Sequence, residues 1–241
     1  QAQRAWRRSY FKKAPEPLVA NQCPMTIQDI SVPLREGFPV WPGHEPLQIK
    51  RIKGFEMGDE VQISDLAIGC HTGTHLDAPR HFVDGGGLVD KIDLRRLIGP
   101  CHVVHYTGTG PITAEFFQGL NLPDPCRRVL LKCDQNAGKL DEPSFFEDYA
   151  GITQDAAQFL VDRGMICIGT DYLSIGPFHG GNVETHQTLL GAEVVIVEGL
   201  DFRQVTPGEY TLLCMPPAVP TDGMPCRAAL LPAGALPETW A

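Results

Sequence analysis

The chain has 241 residues, of which 43% are hydrophobic and 20% are charged, a balance that suits one compact domain or two small ones. A formal net charge of -9 disfavours nucleic acid as a partner, and the absence of a run of about 18 apolar residues predicts that no segment spans a membrane. None of the eight cysteines forms a Cys-x-x-Cys pair, and several lie in apolar runs, so we predict reduced thiols in a cytoplasmic protein.

The first 24 residues differ from the rest of the chain because they are basic and lack an apolar core of signal-peptide length. We interpret residues 1–24 as a basic N-terminal extension, either a tail that packs on a neighbouring subunit or an artefact of the gene start. Residues 25–241 are predicted to form a single domain. The basic side chains of the extension are Arg4, Arg7, Arg8, Lys12 and Lys13.

Short apolar runs predict a series of strands that are joined by loops rich in Pro and Gly. Two helices are predicted, one that opens at Thr113 and one over residues 153–163, which has a capping residue at its start and Gly164 as its stop. Many strands and few helices predict a sheet-dominated α/β domain. The predicted strands span residues 27–32, 48–52, 61–68, 101–106, 129–132, 165–169, 194–197 and 210–215.

The segment from His71 to His81 carries three imidazoles and one carboxylate within eleven residues. On a helix, Asp77 would lie far around the cylinder from His71 and His75, whereas in an extended backbone positions 71, 73, 75 and 77 point to one side. Imidazole and carboxylate groups are ligands of zinc and manganese, and a bound cation of this kind can activate water. The segment therefore predicts a divalent-metal site, in which Gly73 leaves room for the ion.

Further candidates follow the later strands. Glu198 ends a β-branched run typical of a buried strand, where a carboxylate is costly unless it is paired or bound to a cation. His186, taken alone, is interpreted as an ordinary loop histidine. Asp171 either orients a ligating imidazole or caps a turn, and Ser174 lacks the sequence context of a nucleophile.

Of the other histidines, the candidates for the border of the site are His44 and His179, and those interpreted as structural are His102 and His105.

Residues 71–81 resemble the signature His-x-Gly-Thr-His-x-Asp-x-Pro-x-His of the cyclase-type metal hydrolases, a family that includes bacterial kynurenine formamidases. Three further stretches resemble the family in the same order along nearly the whole chain. Residues 39–43 are similar to its early Trp-Pro-Gly segment, residues 169–174 are similar to its Gly-x-Asp-x-x-Ser strand end, and His186 with Glu198 is similar to its second ligand pair.

The resemblance implies a swivelling β/β/α fold and a role for each matching residue. His81 would act as acid and base, and Trp41 would lie beside the substrate. The family also implies zinc or manganese, with one or two ions per subunit, and a homodimer or a larger homo-oligomer. The implied metal ligands are His71, His75, Asp77, His186 and Glu198, with Asp77 bridging the two cations.

The ligand chemistry and the resemblance together predict a metal-dependent amidohydrolase. We expect an aryl formamide such as N-formylkynurenine as the small-molecule substrate, with no nucleic-acid or membrane partner. A hydrolase of isatin-type cyclic amides is the alternative within the family, because the signature indicates metal-dependent hydrolysis but does not distinguish one substrate from another. A module that binds metal or ligand without turnover is the alternative of another class, although no implied ligand is missing from the sequence.

Overall fold

The computed structural model describes residues 26–235, so the predicted basic extension lies outside the described residues. The strands are β1 (Gln28–Asp29), β2 (Gln48–Lys53), β3 (Ile63–Ala67), β4 (His75–Asp77), β5 (Ile98–Tyr106), β6 (Arg128–Cys133), β7 (Cys167–Thr170), β8 (Val195–Glu198), β9 (Gly208–Met215), β10 (Gly223–Pro225) and β11 (Arg227–Pro232). The α-helices are α1 (Ala114–Gln118), α2 (Gln154–Asp162) and α3 (Asn182–Gly191). Short 3-10 helices span Phe55–Met57, Pro79–His81, Val89–Lys91, Leu94–Arg96, Asp134–Asn136 and Lys139–Asp141.

Nine of these strands form one sheet in the order β1-β11-β9-β5-β6-β7-β8-β4-β10. The strands β5, β6, β7 and β8 are parallel, and the other neighbours pair antiparallel. Cys226 alone separates β10 from β11, so one bent segment pairs with β4 at one end of the sheet and with β9 near the other. The sheet therefore curls around an interior, which confirms the predicted sheet-dominated α/β fold.

Side chains of the curled sheet alternate between two apolar layers. In β6, Leu130 faces the interior of the curl, whereas Val129 and Leu131 pack with the helices. In β8, Val197 faces the interior and Ile196 faces the helices. All five are buried, and full burial of such a side chain stabilises the fold by about 1.5–3 kcal/mol. The same alternation places the residue after Val197 on the helix-facing side of the sheet.

The predicted helices α1 and α2 are present, and α2 ends at Asp162, two residues before Gly164, which has a left-handed φ of 75°. The sequence pattern does not predict α3, in which β-branched Val183, Thr185 and Thr188 lower the helix propensity. This helix packs against α2 and β8, so tertiary contacts stabilise it. His186 therefore lies on a helix rather than in a loop, which corrects the interpretation from the sequence.

The described part of the chain contains seven cysteines, all of them free thiols and five of them buried. Burial raises the pKa of the Cys167 thiol to about 12, so this side chain is neutral at pH 7 and behaves as a small apolar group.

Among residues 26–235, no helix combines the length and the apolar character that crossing a bilayer requires.

Candidate metal centre

The strand pair β4–β8 brings predicted ligands face to face. In the antiparallel register, His75 lies opposite Glu198 and Asp77 lies opposite Ile196. His75 and Asp77 share one face of β4, while Leu76 enters the interior layer of the curl. Nε2 of His75 lies 3.3 Å from Oε2 of Glu198 and 3.6 Å from Oδ1 of Asp77. The register therefore gathers three candidate ligands on the helix-facing side of the sheet.

His71 reaches this cluster from the turn before β4, and only His75–Asp77 of the predicted extended segment is a strand. Gly73 has a φ of 68°, and a Cβ at this position would lie 2.4 Å from a methyl carbon of Leu34. Gly73 thus allows the tight turn, which corrects the expectation that it leaves room for an ion. The turn brings Nδ1 of His71 to 2.8 Å from Oδ1 of Asp77.

His186 approaches the same carboxylates from α3. Its Nδ1 lies 2.7 Å from the backbone oxygen of Asn182, one helical turn earlier, and donates to it when it carries the proton. Nε2 then presents its lone pair to the cluster, 3.4 Å from Oε1 of Glu198 and 3.7 Å from Oδ2 of Asp77. The Phe82 ring stacks on the imidazole at 4.3 Å between centroids and fixes its plane. The helix therefore aims one nitrogen at two carboxylates.

Two buried atoms of the cluster have no hydrogen-bond partner: Nε2 of His75 and Oδ2 of Asp77. His75 and Asp77 are fully buried, and such unpaired groups are costly because they lose water without gaining a partner. A divalent cation satisfies both, because it accepts an imidazole lone pair and a carboxylate oxygen. The nitrogen and oxygen donors fit zinc, manganese or iron.

The five ligands predicted from the sequence fall into two groups that share one carboxylate. The first comprises His71, His75 and Asp77, and the second comprises Asp77, His186 and Glu198. Within each group, the ligand atoms lie no more than 4.8 Å apart. Asp77 is therefore a candidate ligand in both groups.

The charges of the cluster favour ionised carboxylates. Burial raises the pKa of the Asp77 carboxyl, yet the imidazoles of His71 and His81 outweigh it and hold that pKa well below its usual range. Burial also raises the pKa of Glu198, but His186 and His75 bring it below the ordinary value. Ionised carboxylates are the form that binds cations, so the cluster is electrostatically prepared for them.

His81 lies on the 3-10 helix that follows β4, outside the two groups that contain Asp77, and forms a third group of possible metal ligands with His71 and Asp222. Its ring stacks on that of His71, with 3.8 Å between centroids and an interplanar angle of 22°. Its Nδ1 lies 3.2 Å from Oδ2 of Asp222. The same oxygen lies 2.9 Å from Nε2 of His71. The sequence pattern does not identify Asp222, because an Asp-Gly pair before a short strand is an ordinary turn signal.

A cavity of about 280 Å³ opens above the cluster. Its lining includes the polar residues His81, His186 and Glu198. Trp41 also lines it, and its ring contacts Phe145 and Phe178 at 5.1 and 5.4 Å between centroids. The cavity therefore combines candidate metal ligands with an aromatic wall that suits a flat, apolar substrate. Its remaining lining residues are His44, His71, Phe82, Leu173, Ser174, Asn182 and Val183.

Several other candidates lie apart from the cluster. Asp171 accepts hydrogen bonds from the backbone nitrogen of Cys133 and from Nδ2 of Asn136, so it braces the end of β6 and contacts no ligating imidazole. Asp171 therefore fulfils neither of the two expectations from the sequence. His179 is exposed and pairs with Asp148, outside the cavity lining. The two histidines interpreted as structural also contact carboxylates: His102 contacts Glu209, and His105 contacts Asp134.

Comparisons with known proteins agree with this architecture. The family model named Cyclase matches residues 28–177. A solved structure described as a potential metal-dependent hydrolase with cyclase activity shares 32% identity, covers 86% of this chain and 98% of its own, and superposes with a TM-score of 0.73. A predicted metal-dependent hydrolase from Bacillus stearothermophilus shares 31% identity over 87% of this chain and 99% of its own, with a TM-score of 0.74.

A more distant structure has the same fold. An isatin hydrolase bound to the product analogue thioisatinate shares 19% identity over 86% of this chain and 92% of its own, with a TM-score of 0.75. At that identity the likeness concerns the fold alone. The family match covers more than half of the chain, and two structures above 30% identity align over most of its length. The chain therefore belongs to the cyclase family and has the fold of its metal-dependent hydrolases.

Proposed function

We propose that this chain is a metal-dependent amidohydrolase that cleaves the amide bond of a small aryl substrate. The observation that carries the proposal is the pair of buried, unpartnered atoms, Nε2 of His75 and Oδ2 of Asp77, in a cluster beneath an aromatic-lined cavity. A structural zinc site is usually closed and rich in cysteine, whereas this cluster has nitrogen and oxygen donors next to a cavity. The hydrolase descriptions of the two relatives above 30% identity support the same reaction class.

The proposed ligands divide according to the two groups that the geometry forms. His71, His75 and Asp77 hold one cation, and Asp77 extends to a second that His186 and Glu198 also hold. A divalent cation bound there lowers the pKa of water from ~15.7 to about 7 and polarises a carbonyl oxygen. We propose zinc or manganese, because both accept this donor set.

His81 is the proposed acid and base. Hydrolysis adds water across the carbon–nitrogen bond, so a proton must move from water to the departing amine nitrogen. His81 lines the cavity, and its Nδ1 faces Asp222, which leaves Nε2 as the atom that accepts and then donates this proton. An imidazole suits the task because its ordinary pKa of about 6.5 lies near neutral pH.

Trp41 is the proposed contact for the aryl ring of the substrate. The indole presents contact area at low entropic cost, and its packing against Phe145 and Phe178 holds it in place. Trp41→Ala is expected to raise KM by ~3–10-fold with little change in kcat, since an aromatic pair contributes about 0.5–1.5 kcal/mol. Steady-state kinetics measure both constants. A fall in kcat at unchanged KM would contradict the stacking role.

The proposed substrate is an aryl formamide such as N-formylkynurenine, which yields formate and an aryl amine. The second candidate is an isatin-type lactam, which is favoured by the fold shared with an isatin hydrolase. Both substrates place a carbonyl carbon on an aryl nitrogen, so one cation site and one proton carrier serve either reaction. We also propose a cytoplasmic homodimer or larger homo-oligomer, in line with the free thiols of residues 26–235 and the family resemblance.

The decisive experiment pairs metal analysis with turnover. The full chain is loaded with zinc or with manganese, its bound metal is counted, and hydrolysis of N-formylkynurenine and of isatin is followed by absorbance. Turnover of the first alone supports the formamidase, and turnover of the second alone supports the lactam hydrolase. A metal-loaded protein that hydrolyses neither would overturn both and favour a binding module.

A further inference from the structure

Asp222 contacts two histidines of the site through a single oxygen atom. Its Oδ2 lies 2.9 Å from Nε2 of His71 and 3.2 Å from Nδ1 of His81. Asp222 itself does not line the cavity, and its side chain is half exposed. The carboxylate therefore contacts both imidazoles from outside the residues that line the cavity.

The backbone fixes this carboxylate relative to the cluster. Asp222 immediately precedes β10, which pairs antiparallel with β4 and places Gly223 opposite Asp77. The backbone nitrogen of Ala78 donates to the backbone oxygen of Asp222 at 2.9 Å. A Cβ at Gly223 would lie 2.3 Å from Cε1 of His71, so the imidazole occupies space that only glycine leaves free. Hydrogen bonds of β4 thus hold Asp222 in register with the candidate ligands.

The two nitrogens of His71 face different carboxylates. Nδ1 lies 2.8 Å from Oδ1 of Asp77, within the first ligand group, and Nε2 faces Asp222. A neutral imidazole has one lone pair and one N–H group. If Nδ1 gives its lone pair to a cation, Nε2 carries the proton and donates it to Asp222. Asp222 belongs with His71 and His81 to a third group of possible metal ligands, but in this tautomer it is a hydrogen-bond acceptor behind a ligand rather than a further ligand.

We propose that Asp222 is a positioning residue that orients a metal ligand, His71, and the acid/base residue, His81, through one shared carboxylate oxygen. The inference rests on the proposed function, in which His71 binds a metal ion and His81 transfers a proton, because each task requires a particular tautomer of the ring. With Nδ1–H of His81 held by Asp222, the lone pair of Nε2 is free for the proton of the reaction. The stacked rings of His71 and His81, with 3.8 Å between centroids, are thereby held by the same carboxylate oxygen.

Three variants test this role. Asp222→Ala removes the acceptor and is expected to weaken metal binding and to lower kcat by ~10–100-fold each, the usual effect of losing the partner of a ligating histidine. KM stays unchanged because Asp222 does not line the cavity. Asp222→Asn is expected to restore most of both, since its amide oxygen replaces Oδ2 and its amide nitrogen faces water. Glu209→Ala is the matched control, because it removes the carboxylate partner of His102 away from the cavity.

Metal affinity is measured by competition with a chelating dye, kcat and KM by steady-state kinetics, and folding by circular dichroism. Folded Asp222→Ala with the metal affinity and the kcat of Glu209→Ala would overturn the proposal. Asp222→Asn as impaired as Asp222→Ala would also overturn it, because a positioning role needs an acceptor atom and no charge. If the wild-type chain hydrolyses neither test substrate, the proposed function fails, and the dye competition still decides whether Asp222 supports His71.

Discussion

Asp77→Asn is expected to weaken the binding of zinc or manganese by more than the ~10–100-fold that loss of a ligand's hydrogen-bond partner causes. Asp77 is the carboxylate that both ligand groups share, and its Oδ2 is buried without a partner. Asn preserves the shape but removes the negative charge, so both proposed ligand groups would lose their shared anion. Hydrolysis is expected to fall with the bound metal. Metal content after dialysis, measured by mass spectrometry, checks the first effect.

Thermal unfolding provides a second readout of Asp77→Asn that is independent of activity. A cation that binds the folded chain alone stabilises it by about 2.7 kcal/mol at a concentration of 100 times Kd. We expect added metal to raise the Tm of the wild-type chain and to leave that of Asp77→Asn unchanged. The matched control is Asp171→Asn, another buried carboxylate, which contacts Cys133 and Asn136 instead of the cluster. A metal-dependent rise in Tm that survives in Asp77→Asn would remove Asp77 from the site.

The local part of the candidate site could be predicted from the sequence, because its information lies within one short segment. The residue types of the segment 71–81 are metal ligands whatever the fold, and alternation along a strand places His75 and Asp77 on one face. The strands β6 and β8 could be predicted because each is a continuous apolar run. Glu198 could be predicted as a candidate because a carboxylate at the end of such a run needs a partner.

The long-range part could not be predicted. The opposition of His75 and Glu198 depends on the pairing of β4 with β8, and a shift of one residue would turn Glu198 to the other face. Asp222 follows His71 by 151 residues and meets it only because β10 pairs with β4. Helix α3 forms against weak propensity, so tertiary packing rather than local sequence places His186.

The energetics of the cluster connect the fold with the proposed chemistry. Asp77 and Glu198 are buried charges, and burial of unpaired charge opposes folding. Their neighbours are imidazoles, which offset part of this cost: burial lowers the pKa of His71, but Asp77 and Asp222 outweigh it and raise that pKa to about 9. A cation that binds His71 must displace a proton from the imidazole. Metal binding therefore replaces the single positive charge of the protonated imidazole with the double charge of the cation, which offsets the buried carboxylates more strongly.

His81→Ala is expected to lower kcat by ~10²-fold or more while the metal content stays at the wild-type level, because His81 moves a proton and lies outside the two proposed ligand groups, which both contain Asp77. Steady-state kinetics measure the fall in kcat, and metal analysis of the same preparation measures the metal content. His105→Ala is the control, since His105 pairs with Asp134 outside the cavity and its loss leaves the site intact.

The leaving group then identifies the step that His81 serves. An aniline must receive a proton as the carbon–nitrogen bond breaks, whereas the 4-nitrophenolate of an activated formate ester departs without one. His81→Ala should therefore lose much less activity on 4-nitrophenyl formate than on an aryl formamide. Equal losses on the two substrates would show that His81 assists the attack of water rather than the departure of the amine. Undiminished turnover of the formamide would exclude His81 from proton transfer altogether.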